Sequence, residues 1–188
     1  MLPEDVISEA HSSPTGLPSA SLLDLLSYQE IPYAIEVIGE EHSQFRASVL
    51  QLLFQRHLQK NLSMADRPLI RFLLEQEIAC YANNLITADD NLHLAGFLLF
   101  ILGQTDDVEL LWQAKTANFD AESSFDIQFL VGAGVGRTIA YLQSIQAEWA
   151  EKTKAYIELC QQAGDFEDME DYRVDRQKYF ASGFSTNT

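Results

Sequence analysis

Basic side chains are scarce in this chain: its 188 residues hold 12 lysines and arginines against 28 aspartates and glutamates, a formal charge of −16. A field of that sign opposes the long-range attraction that nucleic acid and anionic membrane surfaces need, so neither is expected as a partner. A basic protein fits the charge better, and the same carboxylates also keep a small protein soluble. Cysteine is scarcer still. Cys80 and Cys160 form no CxxC spacing and no framework of a small secreted domain, so reduced, buried thiols are expected. Long apolar runs are missing as well. The most apolar stretch, Leu92 to Leu102, is well short of the ~20 residues that span a bilayer and reads as a core helix. The opening MLPEDVISEA places Glu4, Asp5 and Glu9 where a signal peptide would carry positive charge, and a cytoplasmic location is the expectation.

Groups that would mark chemistry are also thin. His11, His42, His57 and His93 make no HExxH pair. Asp90-x-x-His93 offers one helical turn of ligands without the others a metal needs. Glu40 and Glu41, Glu75 and Glu77, and Asp89 and Asp90 are too close in sequence to face one another on a helix, and read as solvated faces or caps. No nucleophile, base and oxyanion site can be assembled from recognisable elements. No catalytic residue, metal or cofactor is therefore assigned, and an enzyme is disfavoured.

What is present is the composition of a folded domain, with 47% hydrophobic and 21% charged residues. HSSPTGLP, ending at Pro18, makes residues 1–18 a mobile leader or a loop after a short first helix. An all-helical domain is expected over 19–164, and an acidic segment and tail over 165–188. SASLLDLLSY suggests a short helix from Ser19, and Pro32 opens another that Gly39 would close. Phe45, Val49, Leu52 and Leu53 repeat at helical spacing, as do Ile70, Leu73, Leu74, Ile78 and Tyr81 after Asp66 as cap and Pro68 in the first turn. Asn91 to Gly103 is apolar almost all round, the mark of a helix buried among neighbours. Thr105 or Asp106 caps the next, whose inward face is Val108, Leu111 and Trp112. From Val135 to Gln161 a 4-3 spacing through Val135, Ile139, Leu142, Gln146, Trp149, Thr153, Tyr156 and Cys160 predicts one long helix, with Gln146 and Thr153 weakening its seam. Gly164 closes it, and Tyr172 to Phe180 adds a short helix before a fraying end. Trp112, Phe119, Phe125, Tyr141 and Trp149 read as core aromatics, some of which could line a groove.

One stretch imitates a chemical signature. Val131 to Thr138 reads VGAGVGRT, beside the GxxxxGK[ST] of a phosphate loop. Gly132, Gly134 and Gly136 would free the backbone, Arg137 would stand for the lysine, and Thr138 would reach magnesium. The leading glycine is Val131 instead, and an arginine's planar fork does not replace a lysine's point charge. FDIQFLV before it alternates like a strand at Phe125, Ile127, Phe129 and Val131. It equally fits a helix with Ser123 as N-cap, Asp126 at the capping-box position, and Ile127, Leu130 and Val131 inward. FILGQTDDVELLW from Phe100 and FLVGAGVGRTI from Phe129 share a triplet, a glycine, a short turn and a valine, with Val108 and Trp112 matching Val135 and Ile139. The first copy has no phosphate-loop character, so both glycines are expected to stop helices.

The expectation is an all-α fold of seven or eight helices in antiparallel hairpins, a right-handed superhelix or irregular bundle with a long C-terminal helix. The hairpins from Asn91 to Gln161 loosely resemble helical-repeat scaffolds of the HEAT or TPR kind. The resemblance implies a non-enzymatic protein-interaction module. A second reading is an acidic inhibitor, immunity protein or nucleic-acid mimic that neutralises a basic partner. It would use Asp165, Phe166, Glu167, Asp168, Met169, Glu170 and Asp171, where acids alternate with apolar groups. A third is a nucleotide-binding enzyme using residues 131–138.

Overall fold

A computed structural model describes residues 2–29, 36–83 and 90–183, with backbone alone at 36–40 and 183. The helix start expected at Pro32, the side chains of Glu40 and Asp89, and the end expected to fray beyond residue 183 lie outside the described residues.

The chain is all-helical, and among the described residues there is no strand. Among the described residues ten α-helices follow one another: α1 (Pro3–Ser12), α2 (Ala20–Leu26), α3 (Glu36–Leu58), α4 (Arg67–Ala82), α5 (Asn91–Leu102), α6 (Val108–Lys115), α7 (Phe119–Ser124), α8 (Val135–Gln143), α9 (Glu148–Ala163) and α10 (Met169–Gly183). Short 3-10 turns at Thr105–Asp107 and Ile127–Val131 precede α6 and lead towards α8.

Helix α5 is the axis of the fold. Leu92, Leu94, Ala95, Phe97, Leu98, Leu99 and Phe100 are all buried, because α3 and α4 lie against it on one side and the turn at 127–131 on another. A helix apolar all round has no solvent face to offer, so it can only be surrounded. Gly96 is a contact point with that turn: a Cβ there would stand 3.0 Å from the Phe129 ring within it and 2.6 Å from the Phe125 ring just before it. Gly103 then ends α5 in the left-handed region at φ 61°, its N–H donating to Leu99 O at 3.0 Å, as its sequence position implies. Helix α1 packs on α3 and inserts Val6, Ile7 and Ala10 into the same core.

Three expectations are corrected. Gly39 does not close a helix, since α3 runs unbroken from Glu36 through it. A single glycine costs a helix roughly 1 kcal/mol against alanine, too little to stop one this long. Ser123 is not a cap: it lies inside α7, and Asn118 caps that helix by accepting from Ala121 N at 2.8 Å. The long helix expected from Val135 to Gln161 is two helices, α8 and α9, divided at residues 144–147 where Ala147 is extended at φ −146° and ψ 144°. The two helices pack on one another, and Leu142 and Ile157 are both buried in the core.

Helix α10 closes the far side, with Phe180 against Phe54 and Phe97 at ring separations of 6.1 and 5.2 Å. His57 on α3 meets it, its Nε2 donating to Gln177 Oε1 at 3.1 Å. Burial lowers the His57 pKa, Gln177 opposes that shift, and Arg173 adds to it. The unfolded chain thus takes up a proton at His57 near pH 6.5 while the folded chain does not. The stability tied to neutral His57 is complete above about pH 6.5 and is lost as pH falls towards the lowered folded value. Replacing His57→Gln should flatten the fall of the urea midpoint across that window. An unchanged slope would mean that His57 does not titrate differently in the two states.

Candidate functional site

The glycine-rich segment is spent on packing. The residues before it form a 3-10 turn rather than a strand, and Gly132 lies so close to α5 that a Cβ would overlap Phe100 O and stand 2.8 Å from Phe100 Cα. Gly103 faces it, its own Cβ position 3.0 Å from Gly132 O, so the two similar turns lie back to back. The Gly134 N–H donates to Val131 O at 2.7 Å, and Gly134 starts α8 at φ 97°. Thr138, whose hydroxyl a magnesium would need, is fully buried and donates to Gly134 O at 3.1 Å. Gly136 is open, with nothing within 4 Å of a Cβ, and Arg137 is exposed. Two of the groups a phosphate loop would use, the Gly134 N–H and the Thr138 hydroxyl, are thus engaged with the chain itself.

Basic side chains turn inward to a degree that the sequence conceals. Arg46, 1% exposed, places Nε 2.5 Å from Glu77 Oε1 and also donates to Leu26 O and Cys80 Sγ. Asn91 donates to the same carboxylate at 3.3 Å, so helices α2 to α5 meet at one buried ion pair. Glu77 was expected on a solvated face; it is instead 0% exposed. Burial pushes its carboxyl upward while the Arg46 guanidinium pulls it back, and burial pushes the Cys80 thiol up to about 11. Arg67 and Arg71 both grip Asp107, and Arg67 also reaches Asp106. Hydrogen bonding to Asp107 raises the Arg67 pKa further. Asp106 thus makes an ion pair, and no side chain caps the 3-10 turn or α6. Asp66, 1% exposed, sits at the N-cap of α4 without capping it: it pairs with His11 at 2.8 Å and Arg56 at 3.3 Å and accepts from Ser63 N. Asp126, expected in a capping box, pairs with Arg176 and accepts from the Tyr172 hydroxyl at 2.8 Å. Asp90 holds His93 at 2.5 Å and accepts from Tyr179.

Lys115 completes the pattern. It is 5% exposed and donates to Glu122 O at 2.9 Å and Phe125 O at 2.8 Å, tying α6 to both ends of the segment after α7 begins. Burial lowers its pKa. Its ammonium lies 5.7 Å from the centre of the Tyr156 ring on α9, and that ring is 5.8 Å from Trp112 on α6. Above this lysine the surface is aromatic and apolar: Tyr156 is 36% exposed and Leu159, one turn on, is 61% exposed.

The acidic segment lies at the end of α9. Gly164 turns the chain at φ 88°, Asp165 N donates to Cys160 O at 3.0 Å, and Gln128 donates to Asp165 O. Phe166 and Met169 are partly buried and packed on the core, whereas Asp165, Glu167, Asp168, Glu170 and Asp171 are exposed. The acids and the apolar groups of the segment therefore face different ways. Of the five aromatic residues expected in the core, Phe125 is 1% exposed, while Phe119 stands 80% exposed on α7.

Among the described residues no group of three His, Cys, Asp or Glu side chains could hold a metal ion, and no helix is long and apolar enough to cross a membrane. Cys80 and Cys160 are buried and free. Comparison with family models, curated proteins and solved structures finds no match to this chain.

Proposed function

We propose that this protein is a cytoplasmic, non-enzymatic protein-interaction module with a helical-repeat-like scaffold, and that its partner presents a basic surface. The observation that carries the reading is the fate of the cations. Arg46, Arg56, Arg67, Arg71, Lys152, Lys154, Arg176 and Lys178 are each within 4.0 Å of a carboxylate of the chain itself. Lys115 is held by backbone carbonyls. Most cations are thus matched by acids of the chain itself, and the net charge of −16 remains as unmatched carboxylate. The field of that charge speeds encounter with an oppositely charged partner and repels anionic ones. The reading extends to an acidic inhibitor, immunity protein or nucleic-acid mimic, which would exploit the same field against a basic target.

Capture on the immobilised protein from a lysate of its source cell, at low and at high salt, tests it. The expected result is one basic protein in stoichiometric amount whose association slows as salt rises. Recovery of a partner indifferent to salt would remove the electrostatic part of the proposal, and recovery of no protein at either salt would count against the module reading itself.

A further inference from the structure

We infer that the face of α9 over α6 is the docking surface of this module, and that it receives a basic amphipathic helix of a partner protein. The proposal rests on the interaction-module reading above and assigns it a location. Four observations converge on this face. Tyr156 and Leu159 are exposed one turn apart, with Ala155 beside them, so the outward side of α9 presents an apolar stripe. Trp112 extends the stripe onto α6 through its contact with the Tyr156 ring. Two exposed carboxylates border it. Glu122 is fixed because its own carbonyl accepts from Lys115 beneath the Tyr156 ring, and Asp165 because its N–H bonds to Cys160 next to Leu159. Burial raises the Tyr156 pKa, and the charges of Cys160, Asp165 and Glu122 add to that rise, in keeping with their closeness.

The neighbouring cations have partners of their own, and Lys115, which feels the Glu122 charge, does so from below the surface. Lys115 lies below the ring, 5% exposed and committed to two carbonyls, and Lys152 is paired with Glu148 at 2.7 Å.

Charge chooses among the occupants. A second copy of the chain on a two-fold axis would lay Glu122 and Asp165 against their own equivalents, and like charges across an interface are costly. An anionic lipid surface meets the same repulsion. A helix with leucine-like groups on one side and lysine or arginine along the margin satisfies both the stripe and its border, the helix-in-groove mode of recognition.

A labelled synthetic peptide with leucine and lysine at amphipathic helical spacing provides the probe, with fluorescence anisotropy as the readout. Glu122→Gln with Asp165→Asn should weaken binding about tenfold, and Leu159→Asp by about as much, the range of interface residues that matter. Glu41→Gln on α3 with Glu75→Gln on α4 removes the same charge elsewhere, at exposed positions, and should change affinity by less than about twofold if location matters. Leu159 is 61% exposed, so its variant should keep the helical circular dichroism of the parent. Equal weakening by the two charge-neutralised pairs, or unchanged binding by Leu159→Asp, would overturn this surface while leaving a basic partner in place. No binding of the peptide by the unaltered protein would overturn both.

Discussion

Arg46→Met should lower the unfolding free energy by about 3–5 kcal/mol, as expected when one partner of a buried ion pair is removed and the other charge stays behind. Arg46 and Glu77 are 1% and 0% exposed, and Glu77 Oε2 has no hydrogen-bond partner of its own. With the guanidinium gone, the carboxylate would keep only Asn91 at 3.3 Å. It must then either stay charged in an apolar site or take up a proton, and both cost stability. Removing Glu77 as well, as Arg46→Met with Glu77→Leu, should recover most of the loss. Desolvation of the pair disappears, and Asn91 still bonds to Ser43 O at 3.2 Å. The residue of the cost, about 1–3 kcal/mol, would be the Leu26 carbonyl left without its donor. Urea unfolding of the two variants measures the difference. A double variant as unstable as the single one would mean that the cluster acts through packing rather than charge.

Gly132→Ala should cost about 3 kcal/mol or more, at or beyond the upper end for overpacking, because the obstacle is backbone. The added methyl would meet the Phe100 main chain, and α5 is enclosed on all sides and cannot retreat. Two positions further on, Gly134→Ala should cost roughly 1–3 kcal/mol by strain alone, since φ 97° with ψ 138° is backbone that only glycine adopts readily. Gly136→Ala should instead stabilise by about 0.4–1 kcal/mol, because the site is open, helical and entropically costly to leave as glycine. Three glycines in one short segment thus have three different effects, measurable as shifts in the urea midpoint. A uniform loss across the series would contradict the packing described.

Much of the helical framework was legible from spacing. Ile70, Leu73 and Leu74 on α4 and the all-round apolar α5 are buried as their periodicity demands, and Gly103 adopts the left-handed conformation its position implies. The break at residues 144–147 was not legible. No proline or glycine marks it, the apolar seam continues past it, and its local sign is the polar Gln146 at a seam position, which the structure leaves exposed. The larger count of helices has the same origin, since short elements such as α7 end where side chains from elsewhere in the chain take over. The buried charges were hidden for a different reason. Glu77 sits beside Glu75 in sequence and looks solvated; its partner Arg46 is 31 residues away, so only the fold brings them together. The acidity of the candidate surface was legible from composition. The burial of Arg46 and Lys115 was not.

The claim that most needs testing is that VGAGVGRT is a packed turn of a binding scaffold rather than a ligand loop. Thermal unfolding of the unaltered protein and of Gly136→Ala, each with and without millimolar Mg-ATP, tests it directly. The account predicts that Gly136→Ala melts higher and that nucleotide shifts neither protein. A saturable stabilisation of the unaltered protein, about 2.7 kcal/mol at a hundredfold excess over the dissociation constant, that Gly136→Ala abolishes would contradict it.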